Sequence, residues 1–379
     1  MNPEIVRDCG GKKLRCGFTT GTAAAAASKA ATLALITGEG VSTTTIGTPS
    51  GITLKIDVLS TEFSKEGACC AVKKDAGDDP DVTNGIYVFA TVSRRESGVE
   101  IDGGLGVGRV TKPGLDQQVG AAAINSAPRR MIARAVTEAC AMCGYNGGIA
   151  VMITIPQGVE IAKSTFNPRM GITGGISVIG TTGIVEPMSD KAILDTIRLE
   201  LRQQKSMGRE IAVLIPGNYA ESFITQHLGI EPNNAVMCSN FIGDAIDAAT
   251  NASFSGILLI GHIGKLVKLG IGMLNTHSQY GDGRMETLAA CGLAAGAGTA
   301  ELKAMLSCAA TDAALTVLEQ AGLLEAAMSV LEAKVEACLK RRAGENVEIG
   351  VLCFSGKEET RRVLFRSENA GTLVAAAKK

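Results

Sequence analysis

The stretch EIAVLIPGN, residues 210–218, starts a repeated pattern in the second half of the chain. It is a continuous apolar run that ends in proline and glycine. Helical segments separate it from three similar runs, NAVMCSN (234–240), SGILLIGHIGK (255–265) and NVEIGVLCFSG (346–356). Apolar, nearly continuous strands that alternate with helices are typical of a parallel sheet covered on both faces. Residues 206–379 are therefore predicted to form a three-layer, Rossmann-like α/β domain with a mostly parallel sheet and additional C-terminal helices.

Residues 1–205 follow a different pattern. The run AAAAASKAATLALITG (23–38) predicts a helix that ends at glycine, and APRRMIARAVTEACAMCG (127–144) predicts a second helix. Short β-rich runs are joined by turns, as in STTTIGTPSGITLKIDV (42–58), and GGIAVMITIPQGVEIAKS (147–164) predicts a hairpin over PQG. Because this strand pairing is short-range, we expect an α+β domain with an antiparallel sheet.

The overall charge argues against two classes of partner. Lys and Arg total 37 and Asp and Glu total 38, giving a formal net charge of −1. There is thus no general electrostatic attraction to nucleic acid or to an anionic membrane. The N-terminal residues lack the apolar core of a signal peptide, and no apolar segment is long enough to span a bilayer. The eleven cysteines are odd in number and mostly isolated, which predicts a reduced, cytoplasmic protein without a disulfide framework.

Small and polar residues follow the predicted strands of the second domain, in PGN, SNFIGD and GHIGK. In a doubly wound sheet, ligands bind beyond the carboxyl ends of the strands, where loop amides and helix N-termini converge. We expect a ligand site there, although glycine at such turns is also ordinary stereochemistry. The chain has neither a Walker loop nor a complete dinucleotide fingerprint, which argues against a P-loop kinase or an ordinary NAD enzyme. The candidate residues are Gly217, Asn218, Ser239, Asn240, Asp244, Gly261 and Gly264.

Two glycine-rich loops contain cations. GGLGVGRVTKPG (103–114) includes Arg109 and Lys112, and STFNPRMGITGGISVIGTTG (164–183) includes Arg169. Such loops present backbone amides together with positive charge, which favours an anion with several carboxylates or phosphates. Solvated cations at ordinary turns are the alternative. Similar glycine- or proline-bounded settings contain Arg129, Arg130 and Arg284.

Acidic residues and histidines supply candidates for proton transfer or cation binding. The stretch KDAGDDPDVTNG (74–85) includes Asp78 and Asp79, which fit either a hard-cation site or a solvated turn. His262 lies in GHIGK, and His277 lies in NTHSQYGDGRMETLAA, where a glycine-bounded loop precedes a predicted helix. Two histidines alone make an incomplete catalytic metal site.

These motifs resemble those of the CbiD family, the cobalt-precorrin-5B C-1 methyltransferases of anaerobic cobalamin biosynthesis. The resemblance covers most of the chain and includes GFTTGTAAAAASKAA, DAGDDPDVT, GVGRVTKPGL, PRRMI, STFNPRMGITGGISVIGTTG, SNFIGD, LIGHIGKLVKL and NTHSQYGDGRMETLAA. It implies S-adenosylmethionine as the methyl donor and cobalt-precorrin-5B, a tetrapyrrole with acetate and propionate arms, as the acceptor. The product would be cobalt-precorrin-6A. The cobalt would be carried by the substrate, and the protein itself would hold no metal.

The resemblance also implies roles for the candidate residues. The strand-end residues of the second domain would hold the donor, with Asp244 as a partner of its ribose or sulfonium. His262, His277, Asp78 or Asp79 would move protons or orient the ring. The tetrapyrrole would face the first domain. The residues that would bind it are Thr19, Thr20, Arg109, Lys112, Arg129, Arg130, Arg169, Lys265 and Arg284.

Two other functions stay open at this point. A nucleotide-dependent α/β transferase would use the clustered aspartates to bind magnesium. A non-catalytic tetrapyrrole carrier would bind the macrocycle but would have no donor site. The Ala- and Leu-rich helices after residue 284 fit either a core or a subunit contact in a homo-oligomer. Neighbouring pathway enzymes would be the partners in a transient handover of intermediates.

Overall fold

The structure is a computed structural model that describes residues 5–9, 11–165, 167–168, 170–356 and 360–378. The chain forms two compact units, the first ending at Ser189 and the second beginning at Asp190. Both units combine helices with strands, and the fold contains parallel as well as antiparallel strand pairs. In the part of the chain that is described, no helix is both long enough and apolar enough to cross a membrane.

The described residues of the first unit form many short strands and three helices. The strands are β1 (Val6–Cys9), β2 (Lys12–Arg15), β3 (Gly17–Phe18), β4 (Thr43–Gly47), β5 (Thr53–Asp57), β6 (Ser60–Phe63), β7 (Gly67–Lys73), β8 (Tyr87–Arg95), β9 (Val99–Gly103), β10 (Gly106–Val107), β11 (Arg109–Val110), β12 (Gly148–Thr154), β13 (Ile172–Thr173), β14 (Gly175–Ile176) and β15 (Ile184–Val185). The helices are α1 (Thr20–Thr37), α2 (Ser126–Met142) and α3 (Gly158–Ala162).

A five-stranded sheet in the order β6-β7-β8-β12-β9 forms the centre of the first unit. Its neighbouring strands are antiparallel, except that β12 and β9 are parallel. Helix α1 packs on β7, on β8 and on helix α2. The alanines from Ala23 to Ala27 are fully buried, and their small side chains let the sheet and α2 approach α1 from different sides. Thr19 caps the start of α1, and Gly38, with a φ of 75°, follows its end.

The hairpin expected over PQG is wrong. The chain after PQG forms the short helix α3 instead of a returning strand. Strand β12 already pairs with β8 on one side and with β9 on the other, so neither edge is open to a hairpin partner. Gly158 also lies against Gly106, whose carbonyl oxygen would be 2.1 Å from a Cβ atom at position 158.

The second unit alternates strands with helices. Its strands are β16 (Ile211–Ile215), β17 (Ala235–Met237), β18 (Gly256–His262), β19 (Glu348–Ser355) and β20 (Arg362–Arg366). Its helices are α4 (Asp190–Ser206), α5 (Asn218–Phe223), α6 (Ile242–Asn251), α7 (Ile263–Leu266), α8 (Arg284–Ala294), α9 (Thr299–Leu306), α10 (Thr311–Gln320), α11 (Leu324–Ala343) and α12 (Ala370–Ala377). Short helical turns also occur at Ile224–Leu228, Pro232–Asn234, Val267–Ile271 and Ser278–Tyr280.

The sheet of this unit has the order β17-β16-β18-β19-β20. The first four strands are parallel, and β20 is antiparallel to β19. Alternate residues of β16 enter different apolar clusters, with Ala212 and Leu214 in one and Val213 and Ile215 in the other. The first cluster includes residues of α4, α6, α8, α10 and α11, and the second includes residues of α5 and α12. Both faces of β16 are therefore covered, which explains its continuous apolar sequence.

The boundary between the units differs from the one predicted after residue 205. Helix α4 belongs to the second unit, because it packs on α6 and β17 and places Ile197 and Leu201 in the apolar cluster there. The amphipathic pattern of this helix predicts that one face is buried. It does not reveal which sheet that face covers.

Candidate functional site

An open cavity of about 360 Å³ lies in the second unit at the carboxyl ends of parallel strands. Asn240 follows β17, while Gly264 and Lys265 follow β18 in the chain. This is the edge of the sheet at which the sequence predicts a ligand site. The residues lining the cavity, which we call the Lys265 cavity, are Asn240, Gly264, Lys265, Lys268, Thr276, His277, Ser278, Asp282 and Arg284.

Lys265 connects the loops that follow two neighbouring strands. Its ammonium donates hydrogen bonds to the carbonyl oxygens of Pro216, after β16, and of Ser239, after β17, the second at 3.2 Å. Ser239 has a φ of 52°, a left-handed conformation that costs a residue with a Cβ about 1–2 kcal/mol. Burial is the largest cause of a lowered pKa at Lys265, and the charge of Lys268 acts in the same direction. Both hydrogen-bond acceptors are neutral, so neither compensates the charge of this half-buried lysine.

Lys268 fixes the loop of residues 275–283. Its side chain is 5% exposed, and its ammonium donates to the carbonyl oxygens of Thr276 at 3.2 Å and of Gly281 at 3.0 Å. Thr276 donates from its amide to the carbonyl of Asn240 at 3.0 Å, and from its hydroxyl to the side-chain oxygen of Asn240 at 3.2 Å. The loop is thereby attached both to the end of β17 and to the turn that follows α7.

One carboxylate lies among these cations. The Arg284 guanidinium donates two hydrogen bonds to Asp282, with Nη2 at 2.8 Å from Oδ2. The Lys268 ammonium is 3.9 Å from the same carboxylate. Hydrogen bonding from Arg284 is the largest cause of the lowered pKa of Asp282, and the same contact raises the pKa of Arg284.

The two histidines proposed for proton transfer have different surroundings. His277 is exposed and lines the cavity, and its Nδ1 accepts from the Gln279 amide at 3.2 Å. His262 is half-buried, its Nδ1 accepts from the Gly264 amide at 3.1 Å, and its ring meets Phe354 edge-on with centroids 5.6 Å apart. Because Nδ1 accepts in each case, a neutral ring has its proton on Nε2. Of the two, only His277 lines the cavity.

The other residues expected at the strand ends are not among those that line the cavity. Gly217 precedes α5, and a Cβ atom there would be 3.9 Å from the Lys265 ammonium, while Asn218 is exposed. Gly261 is buried within β18. Asp244 lies in the first turn of α6 and is not among the lining residues.

Two arginines of the first unit are bonded within the protein. The Arg109 guanidinium forms a bidentate pair with Asp102 at 2.8 and 3.0 Å, and Arg109 is the largest cause of the lowered pKa of Asp102. Arg129 donates to three backbone carbonyls, those of Ile101 at 2.8 Å, Ile124 at 2.9 Å and Ala122 at 3.4 Å. Arg109, in β11, and Arg129, in α2, therefore connect these elements to the segments of residues 101–103 and 122–124.

Thr19 and Thr20 are buried, at 8% and 3% exposure. The Thr19 hydroxyl accepts from the Thr22 amide at 3.2 Å and caps α1. In this conformation the Thr19 oxygen has a structural role at the helix start.

Three other cations of the first unit were candidates for binding the tetrapyrrole. Arg130 is exposed and Lys112 is half-buried. The aliphatic part of Lys112 covers Gly171, where a Cβ atom would be 2.4 Å from Lys112 Cγ. Arg169 lies outside the described residues.

Asp78 and Asp79 connect loops through backbone amides. Asp78 accepts from the Arg15 amide at 2.7 Å, and Asp79 accepts from the Met188 amide at 3.1 Å. Neighbouring Asp75 pairs with the Arg15 guanidinium at 2.6 Å. Within the described ranges, no group of three or more His, Cys, Asp or Glu side chains could hold a metal ion. No disulfide joins any of the ten cysteines whose side chains are described.

Four lining residues were not among the candidates, namely Lys268, Thr276, Ser278 and Asp282. Three of them lie in NTHSQYGDG, where their positions beside His277 were the available signal. Lys268 is a second lysine in an otherwise apolar run, three residues after Lys265. This spacing places two side chains on one side of a helical turn.

Comparisons with known proteins identify the family. The family model CbiD matches residues 7–187, and the model described as CbiD, C-terminal domain, matches residues 275–367. A Ruminiclostridium cellulolyticum protein named cobalt-precorrin-5B C(1)-methyltransferase is 43% identical over 99% of this chain and 97% of its own length. An Alkaliphilus metalliredigens protein of the same name is 41% identical over 100% of this chain and 98% of its own.

A solved structure is also similar. The crystal structure of the cobalamin biosynthesis protein CbiD from Archaeoglobus fulgidus is 26% identical and covers 73% of this chain and 87% of its own, with a TM-score of 0.40. The family follows from the similarity to the two named relatives, which covers nearly the full length of both chains. The chain belongs to the CbiD family.

Proposed function

We propose that this chain transfers a methyl group from S-adenosylmethionine to C-1 of cobalt-precorrin-5B, giving cobalt-precorrin-6A in cobalamin biosynthesis. The observation behind the proposal is the similarity to a protein named cobalt-precorrin-5B C(1)-methyltransferase, at 43% identity over 99% of this chain. Because the similarity includes both compact units, it supports the complete reaction. The cobalt is carried by the substrate.

The donor is assigned to the second unit, at the carboxyl ends of β16, β17 and β18. We interpret this unit as a three-layer, Rossmann-like domain, and such sheets bind ligands at this edge. The cavity volume of about 360 Å³ lies within the usual range for small-molecule sites, about 300–1,000 Å³. Asp244, in the first turn of α6, is a candidate partner of the donor's ribose or sulfonium. The residues proposed to surround the donor are Gly217, Asn218, Ser239, Asn240, Gly261 and Gly264.

The protein contributes to the reaction mainly by binding and aligning its two reactants. Methyl transfer to a ring carbon requires an in-line approach, and positioning can contribute about 7–11 kcal/mol in favourable cases. His277 is the proposed proton-transfer group, because it lines the cavity. His262 is proposed to position Gly264, because its Nδ1 accepts a hydrogen bond from the Gly264 amide. No covalent bond to the enzyme is required.

The tetrapyrrole is proposed to lie against the glycine-rich loops of the first unit. Arg130 is exposed there and Lys112 is half-buried, so both are candidates for its carboxylates. Arg109 and Arg129 are proposed to shape these loops, because their guanidiniums are bonded to Asp102 and to backbone carbonyls. Asp78 and Asp79 are also proposed to shape loops, because their carboxylates accept hydrogen bonds from backbone amides.

Calorimetric titration with S-adenosylhomocysteine, with and without a carboxylated corrinoid, tests the two-reactant proposal. Saturable binding of the nucleoside that tightens when the corrinoid is present supports a methyltransferase. Binding of the corrinoid with no binding of the nucleoside would support a carrier. A requirement for magnesium and a nucleoside triphosphate would support a different transferase.

A further inference from the structure

The Lys265 cavity contains more positive than negative charge. Three cations and one carboxylate line it, which leaves a formal charge of +2 with the histidine neutral. The charged residues are Lys265, Lys268, Arg284 and Asp282. Within the described part of the chain, Asp282 is the only carboxylate that lines it.

This carboxylate already has a partner. Both oxygens of Asp282 accept from the Arg284 guanidinium, while the Lys268 ammonium stays at 3.9 Å. Bidentate pairing of this kind is the stronger contact. Asp282 therefore mainly compensates Arg284, and the excess charge belongs to the two lysines.

Both lysines are held by neutral groups. Each ammonium has three N–H donors, and each donates to two backbone carbonyls. Among the described residues, no protein acceptor takes the third N–H of Lys265. Lys265 is half-buried, and partial desolvation of a cation whose partners are neutral is unfavourable until a counter-charge approaches, in agreement with the lowered pKa that burial gives Lys265.

A residue with a strained backbone contacts Lys265. Ser239 adopts a φ of 52° although it is not glycine, and its carbonyl accepts from the Lys265 ammonium at 3.2 Å. Residues held in this region of conformational space cluster at ligand-binding sites. The strain is consistent with a lysine that is positioned before a ligand arrives.

We infer that the Lys265 cavity binds a carboxylate group of one of the two reactants, with Lys265 as its main cation. The inference rests on the proposed function, which supplies the reactants. Two sources offer this chemistry, the amino-acid end of the methyl donor and an acetate or propionate arm of the tetrapyrrole.

Two pairs of probes distinguish these sources by calorimetry. S-adenosylhomocysteine contains the amino-acid carboxylate, and 5′-methylthioadenosine lacks it. Cobyrinic acid has carboxylate arms, and cobinamide has amide arms on the same cobalt corrin ring. The proteins to compare are the full-length wild type, Lys265→Gln, Lys265→Arg as the charge-conserving variant, and Lys303→Gln as a control at an exposed lysine of α9.

We expect the wild type to prefer the carboxylate member of one pair by about tenfold or more, the usual effect of a charged hydrogen bond. Lys265→Gln should abolish this preference, Lys265→Arg should retain part of it, and Lys303→Gln should leave it unchanged. Loss confined to the adenosine pair assigns the donor carboxylate, and loss confined to the corrin pair assigns an arm.

Three outcomes would overturn the inference: a wild type with no preference in either pair, a wild type that binds none of the four probes, or a Lys265→Gln variant whose preference is intact. If Lys265→Gln does not fold, Lys265→Arg must shift the preference by more than Lys303→Gln does, or the inference fails. Methyl transfer by the wild type is measured separately. Methylation without a carboxylate preference contradicts this inference alone, and a preference without methylation contradicts the proposed function alone.

Discussion

Replacing Lys268 with methionine should release the loop of residues 275–283 while the sheet of the second unit stays folded. The lysine is nearly buried, and its ammonium donates to the carbonyls of Thr276 and Gly281. Methionine has a similar length and fills the same space, but it cannot donate. The variant therefore removes these hydrogen bonds with little loss of packing.

The size of the effect follows from three terms. Two hydrogen bonds from a charged donor contribute together about 3–6 kcal/mol. Loss of the buried charge offsets several kcal/mol of this, and the carbonyl of exposed Gly281 can bind water instead. The carbonyl of Thr276 belongs to a residue that is 5% exposed, and leaving it without a donor costs about 1–3 kcal/mol. We expect a net loss of about 1–3 kcal/mol, confined to the loop.

Amide hydrogen exchange measures this loss directly. The Thr276 amide donates to the Asn240 carbonyl at 3.0 Å, so its exchange reports detachment of the loop from β17. It should exchange about 5–150-fold faster in Lys268→Met, while the amides of β18 stay protected as in the wild type. Lys303→Met is the matched control and should change neither. Unchanged exchange at Thr276, or equal acceleration throughout the unit, would refute the reasoning.

Three further predictions concern the stability of the first unit and are tested by urea unfolding. Arg129→Ala should lower the free energy of unfolding by about 2–4 kcal/mol, because its guanidinium holds three carbonyls. The exposed neighbour Arg130 should tolerate alanine within about 0.5 kcal/mol, and equal losses would contradict this account. Gly106→Ala should lower the free energy of unfolding by more than about 3 kcal/mol, because a Cβ atom there would be 1.7 Å from a carbonyl oxygen. Gly98 also has a positive φ but lies in open space, so Gly98→Ala should lower it by only about 1 kcal/mol. Arginine pairing lowers the pKa of Asp75, so its stabilisation is present above the unfolded pKa and is lost as the pH falls through the folded value. The stability difference between wild type and Asp75→Asn should therefore be constant at neutral pH and shrink as the pH falls below about 4; a difference that stays constant down to acidic pH would contradict the pairing.

The sequence predicts strands best where burial on both faces decides the structure. Residues 211–215 and 256–261 have no polar side chains, and they lie in β16 and β18. Sequence patterns are less informative where partners are distant in the chain. The segment after PQG has strand-like composition, yet both edges of β12 are already paired.

The same distinction applies to the site. GHIGK and SNFIGD predict a ligand site at the sheet edge where the Lys265 cavity lies, because ligand position in such sheets follows from topology. The role of Lys268 depends on the carbonyl of Gly281, thirteen residues away, and no local pattern reveals that contact. The contacts of Arg129 are hidden in the same way. One of the backbone carbonyls to which it donates belongs to Ile101, 28 residues away.

The most direct test of the central claim is methyl transfer by the purified full-length protein. It would be incubated with cobalt-precorrin-5B and S-adenosylmethionine labelled with carbon-13 in the methyl group, and the product would be examined by NMR and mass spectrometry. We predict one labelled methyl group at C-1 of the macrocycle and one equivalent of S-adenosylhomocysteine, without added magnesium. A tetrapyrrole that is bound but returned unmethylated, or labelled at another carbon, would contradict the account.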